Sequence, residues 1–128
     1  MIQLSFYLAI GFAGGTGALL RYLVGRAAVN LGWATLPFGT LIANVLGCFL
    51  MGFLSWLLLH KWQMSQQVQT IVLTGLLGGF TTFSAFSLET LTLIQQGSSI
   101  KALIYICLSV LLCVLMCFAG LFLAKQIS

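Results

Sequence analysis

The sequence predicts an all-α integral membrane protein: four transmembrane helices, the third broken near its middle, paired as an antiparallel dual-topology homodimer. Three observations lead there. The 128 residues are 61% apolar and 5% charged, with a mean hydropathy of +1.16, so no charged surface is left for a water-soluble domain. Apolar runs cover about residues 4–28, 38–59, 68–93 and 100–124, each near or above the roughly 20 residues that cross a bilayer as helix. The few basic residues are almost evenly divided between the two faces of such a bundle. Lys61 and Lys125 fall on one side, Arg26 and Lys101 on the other, with Arg21 joining them if it reaches that interface. The charge bias that orients membrane proteins is therefore nearly absent, and the chain is expected to insert both ways up.

The elements follow in order. Span 1 carries Gly11, Gly14, Gly15 and Gly17 and lacks a basic N-terminal region, so it is expected to be a retained span and not a removable signal peptide. Residues 30–37, with the single proline, separate it from span 2, where Gly39, Ala43 and Gly47 form a stripe of small residues suited to close helix packing. Beside that stripe, Thr40, Asn44 and Cys48 repeat every four residues. Residues 60–67 lead to span 3. There Gly78 and Gly79 arrive in mid-run, followed by Thr81 and Thr82, which predicts a helix break at the glycines. Beyond it, Phe83, Phe86, Ser87 and Thr90 share one helical face, with Ser84 beside them. Span 4 places Tyr105, Ser109 and Cys113 on one face. Residues 1–128 thus form a single transmembrane domain, whose lipid-exposed helices and small-residue faces suit a second copy of the chain.

Several function classes are excluded. The loops are too short for a soluble catalytic domain, no catalytic residues are assigned, and an enzyme is not expected. Scattered basic residues make no patch for nucleic acid despite the net charge of +4. Cys48, Cys107, Cys113 and Cys117 lie inside spans with no CxxC pair and no neighbouring His or carboxylate cluster, so they predict no zinc site.

Polar groups are costly in hydrocarbon, which makes them the place to seek function. Arg21 either snorkels to the headgroups or sets a fixed positive charge at the mouth of an anion path. Asn44 either bonds a neighbouring helix or faces water. A break at the glycines frees backbone carbonyls that can coordinate a cation. Phenylalanine rings have positive edges, and hydroxyl and amide donors alongside them suit a small, strongly hydrogen-bonding anion. Glu89, the only acidic residue, would repel that anion unless protonated, paired or turned aside.

Four stretches, GGTGALLRY, PFGTLIANVLGCFLMG, GLLGGFTTFSAFSLE and the Tyr105, Ser109, Cys113 spacing, resemble the Fluc (CrcB) family of fluoride channels over essentially the whole chain. The resemblance implies a homodimer with two pores in a microbial cell inner membrane, exporting toxic fluoride passively from the cytoplasm. It implies Arg21 as the vestibule arginine, Asn44 as the pore asparagine, Phe83 and Phe86 as pore phenylalanines, and Ser84, Ser87 and Thr40 as polar lining, with Tyr105 and Ser109 as the weaker match on span 4. It also implies a structural sodium ion, not transported, held by the carbonyls of Gly78 and Thr81. Ala85 and Cys113 depart from the family pattern, where threonine and serine are common. Two rivals remain: a small multidrug-type proton-coupled exporter, which would use Glu89, and a structural or regulatory membrane subunit. The balanced charges predict that a reporter fused to the C-terminus is found on both sides of the membrane; a reporter wholly on one side would exclude dual topology.

Overall fold

The computed structural model describes residues 2–128, and all regular structure among them is helical. Helix α1 is Ile2–Asn30 and α2 is Phe38–Trp56, which runs on as a π-helical turn, Leu57–Lys61. Helix α3, Gln66–Thr70, passes into a second π-helical stretch, Ile71–Leu77, and then into the short α4, Gly78–Phe80. Thr81 and Thr82 are extended, with φ, ψ of −85°, 157° and −152°, 123°. Helix α5, Phe83–Gln95, follows, and α6, Ser99–Ile127, ends the fold. Four helical stretches, Gln3–Asn30, Phe38–Lys61, Gln66–Gln95 and Ser99–Ile127, are long and apolar enough to cross a membrane.

The turns between spans are written in the backbone. After α1, Gly32 N–H reaches Val29 O and Trp33 N–H reaches Ala28 O; after α5, Gly97 reaches Ile94 and Ser98 reaches Leu93 in the same pattern. This is the Schellman ending, which needs a residue with positive φ just past the helix. Gly32 and Gly97 supply it, each with φ of 76°. Ser65 opens α3 by accepting the Val68 N–H.

Packing divides the spans into two parallel pairs. Helix α2 lies along α6, with Leu41 near Tyr105 at one end and Trp56 under the Lys125 ammonium, 4.8 Å from the ring centroid, at the other. Between these ends the backbones nearly touch. A Cβ on Gly52 would sit 2.0 Å from the Cys117 carbonyl oxygen, and one on Gly120 would sit 2.1 Å from that of Phe49. Helix α1 lies along the first half of the third span in the same manner, where a Cβ on Gly79 would sit 2.3 Å from Gly14 O and one on Gly17 2.1 Å from Leu76 O. Small residues are thus packing surfaces, as expected where lipid gives no hydrophobic drive between helices. The sequence also predicts a break at Gly78 and Gly79; both are helical, and the extended pair lies further on at Thr81 and Thr82.

Little of the chain is enclosed. Phe12 is 81% exposed and Phe118 65%, values at home against lipid or another chain. Because the groups facing Gly52 and Gly120 are main chain, they cannot rotate away. Gly52→Ala or Gly120→Ala is expected to destabilise the fold by about 1–3 kcal/mol through overpacking, read as a lower detergent-unfolding midpoint; an unchanged midpoint would refute the close α2–α6 contact.

Candidate functional site

The extended pair creates a local problem. Thr82 N–H and Thr82 C=O both leave the helical ladder inside a span, where an unpaired group is expensive. Asn44, on α2, answers both. Its Oδ1 accepts from Thr82 N at 2.7 Å and its Nδ2 donates to Thr82 O at 2.9 Å. A carboxamide carries a donor and an acceptor at the spacing of a peptide group, so Asn44 stands in for a neighbouring β-strand. The Thr82 side chain completes the junction by accepting the Ala85 N–H at 3.1 Å, which caps α5. From the other side, Arg21 Nε donates to Gly79 O at 3.4 Å, so the guanidinium is turned toward the junction.

Four ladder carbonyls, those of Gly78, Gly79, Phe80 and Thr81, lose their helical donors as a result, and for two of them the donor is taken by a side chain. In an uninterrupted helix, Gly78 O accepts from Thr82 N and Thr81 O from Ala85 N. Here those two N–H groups go to Asn44 Oδ1 and Thr82 Oγ1.

Beyond the junction, a groove of about 340 Å³ opens between α2, α5 and α6. Asn44, Phe83, Phe86 and Ser109 line it, together with Cys48 and Cys113. The Phe83 and Phe86 ring centroids lie 5.3 Å apart, and Phe86 stands 5.2 Å from Tyr105. Phe86 is buried whereas Phe83 is 77% exposed. Ser109 is buried at 6% exposure, and its Oγ has no hydrogen-bond partner, the only such buried side-chain atom among the described residues. Buried hydroxyls are rarely left unpaired. An unpaired donor on the lining of a groove is a place for an acceptor.

One helical turn further, Glu89 is gripped by two hydroxyls. Thr40 Oγ1 donates to Oε1 and Tyr105 OH to Oε2, both at 2.6 Å. Tyr105 is fully buried, and its ring backs Phe86 from behind the groove.

The predicted site residues therefore divide. Asn44, Phe83, Phe86 and Ser109 come together on the groove. Thr40 and Tyr105 spend their protons on Glu89. Ser87 donates to Phe83 O on its own helix, and Ser84 meets Thr82 Oγ1 at 3.2 Å; both side chains are exposed. Gly78 and Thr81 flank the junction, and Arg21 reaches it from α1. Two participants were not picked out as site residues: Thr82, whose main chain is the object being held, and Glu89 as the hub of two hydroxyls. The doubled threonine after the glycines was the only sequence signal for the first.

Residues 8–121 match the family described as CrcB-like protein, Camphor Resistance (CrcB). The chain belongs to this CrcB family. Relatives named fluoride-specific ion channel FluC are similar along nearly their whole length. The one from Rhizobium meliloti is 44% identical over 118 residues, covering 92% of this chain and 94% of the relative. That of Hyphomonas neptunium is 45% identical over 125 residues, covering 94% and 96%, and that of Rhizobium etli strain CIAT 652 is 40% identical over 128, covering both fully. As a CrcB-family chain with four membrane-spanning helices, it is a multi-pass membrane protein.

Replacing Asn44 by alanine orphans the Thr82 N–H and C=O together. The expected loss is about 1–3 kcal/mol for each group, accompanied by faster hydrogen exchange at the Thr82 amide. Unaltered exchange in Asn44→Ala would mean that the bracket does not hold the junction.

Proposed function

We propose that this CrcB-family protein is a fluoride-selective channel that lets fluoride leave the cytoplasm passively across the cell inner membrane and so lowers fluoride toxicity. The observation that carries the reading is the buried, partnerless Ser109 hydroxyl facing a groove walled by Phe83 and Phe86. Fluoride holds its water tightly, so a path must replace hydration with donors and positive ring edges. Ser109 Oγ–H and the second amide hydrogen of Asn44 supply the donors. Phe86, fixed by Tyr105, offers an edge, and the exposed Phe83 gains surroundings only in an assembly. The names of the relatives support fluoride as the ion.

Arg21, held near Gly79 O, adds positive potential where the path opens and concentrates anions without entering it. Glu89 is not among the residues lining the groove and is held by Thr40 and Tyr105. The same grip argues against a proton-coupled exporter, which needs its carboxylate free to exchange ligands. No reacting group is asked of the protein, so it is not an enzyme.

The working unit is an antiparallel homodimer in which the third span is broken and two copies meet at their junctions. Support comes from the exposed Phe83 and from α1, where a Cβ on Gly11 or Gly15 would meet nothing within 4 Å in one chain. Such an open small-residue face suits a partner helix. The donor set also suits sodium. Gly78 and Thr81 carbonyls have each lost a helical N–H partner to a side chain, and paired copies would bring four such oxygens together. Bound there, the ion supplies positive charge to carbonyl dipoles and is not transported. Ser84 and Ser87 then line the polar approach from α5.

Fluoride efflux from liposomes, driven with a potassium ionophore, tests the reading. Phe83→Ile and Phe86→Ile should slow or abolish efflux without loss of assembly, and Ser109→Ala should lower it about tenfold or more, the worth of one hydrogen bond to a charged group. Wild-type rates in all three, or a strict need for a proton gradient, would sink it.

A further inference from the structure

Two groups on the groove are left unused by the fluoride path. Cys48 on α2 and Cys113 on α6 both line it. Neither takes part in a disulfide, and each is only half-buried. Their spacing is held by main chain. One turn on from both, Gly52 lies against the Cys117 carbonyl so closely that a Cβ there would clash at 2.0 Å. The two thiols therefore border one groove from neighbouring helices, beside a joint that cannot easily open or slide.

We propose that Cys48 and Cys113 form a two-thiolate site for a thiophilic cation that favours linear two-coordination, mercury(II) above all. Ligand number and charge select the metal. No group of three or more His, Cys, Asp or Glu side chains capable of holding a metal exists among the described residues, so a cation requiring four ligands, such as zinc, is not satisfied. Soft d10 ions accept thiolates, and two are enough for a linear one. On binding, each thiol gives its proton to water, two mercury–sulfur bonds form, and no electrons change hands. The product is neutral. Silver(I) or copper(I) on the same pair would leave a net negative charge at membrane depth, which hydrocarbon penalises. The groove gives the ion its way in. Occupied, the pair would obstruct the groove beside Phe86 and Ser109; that effect on flux rests on the fluoride reading, whereas the site itself does not.

The experiment separates the two. Full-length protein in detergent is treated with mercury(II) chloride, challenged with excess 2-mercaptoethanol, gel-filtered and analysed for metal. A single bound thiolate exchanges readily with a monothiol, whereas a chelating pair gains about 100-fold or more in retention from its second arm. The expected result is one mercury kept per chain, with release of two protons. Cys48→Ala and Cys113→Ser should each lose that retention, while Cys107→Ser, which removes an exposed thiol, and Cys117→Ser should keep it. Circular dichroism confirms that each variant is helical. No mercury kept by the unaltered protein, equal retention in Cys48→Ala and Cys113→Ser, or loss in Cys107→Ser or Cys117→Ser would overturn the site. Liposome efflux is then compared with and without mercury for each protein against its own metal-free rate. Inhibition of the unaltered protein that is spared in Cys113→Ser supports both the site and the path. One mercury retained with undiminished efflux leaves the site standing and removes the anion path from this groove.

Discussion

A main chain that stops being helical inside a bilayer must find new partners for every N–H and C=O it releases, because hydrocarbon offers none. Everything distinctive in this fold is arranged around that requirement at Thr81 and Thr82. Asn44 takes both polar groups of Thr82, the Thr82 hydroxyl takes the Ala85 amide in the first turn of α5, and Arg21 takes Gly79 O. Three elements converge on two residues. The carbonyls left over are those of Gly78, Phe80 and Thr81, and the usual donors of Gly78 and Thr81 have been diverted to side chains.

The helix contacts exist to bring those partners within reach. An asparagine side chain is short, so α2 must lie close to the third span, and a Cβ on Gly47 would already be 2.3 Å from Thr81 Cγ2. Close approach in turn needs small residues at each crossing, and the chain supplies them at Gly17, Gly79, Gly52 and Gly120. Glycine is costly within a helix. Here it is repaid by dispersion and by the short polar contacts that close packing permits.

Much of this was legible in the sequence, and the part that was not has a physical reason. Four apolar runs and hydroxyls at helical spacing are local patterns, so the helical class and the faces carrying Asn44, Phe86 and Ser109 could be read directly. The position of the non-helical pair could not. Glycine pairs weaken a helix, yet Gly78 and Gly79 stay helical because α1 packs against them, while the β-branched threonines after them accept extended geometry. What fixes the choice is Asn44, 38 residues away, and no local propensity contains it. The fate of Glu89 was hidden for the same cause, since Thr40 and Tyr105 reach it from two other spans.

The parallel packing of the spans has a consequence for how the protein is made. Parallel neighbours are never consecutive in the chain, so the first two spans must each wait for a mate that has not yet left the ribosome. Asn44 enters the bilayer with its amide unmatched until Thr82 is synthesised 38 residues later, an interval of roughly 2–8 seconds at ordinary elongation rates. The glycine face of α2 waits longer still, for α6. During that interval a lone carboxamide and an uncovered small-residue stripe sit in lipid beside whatever other nascent spans are near. The chain is most exposed to wrong pairing early in its life, and a membrane chaperone able to shelter the first two spans would protect it most.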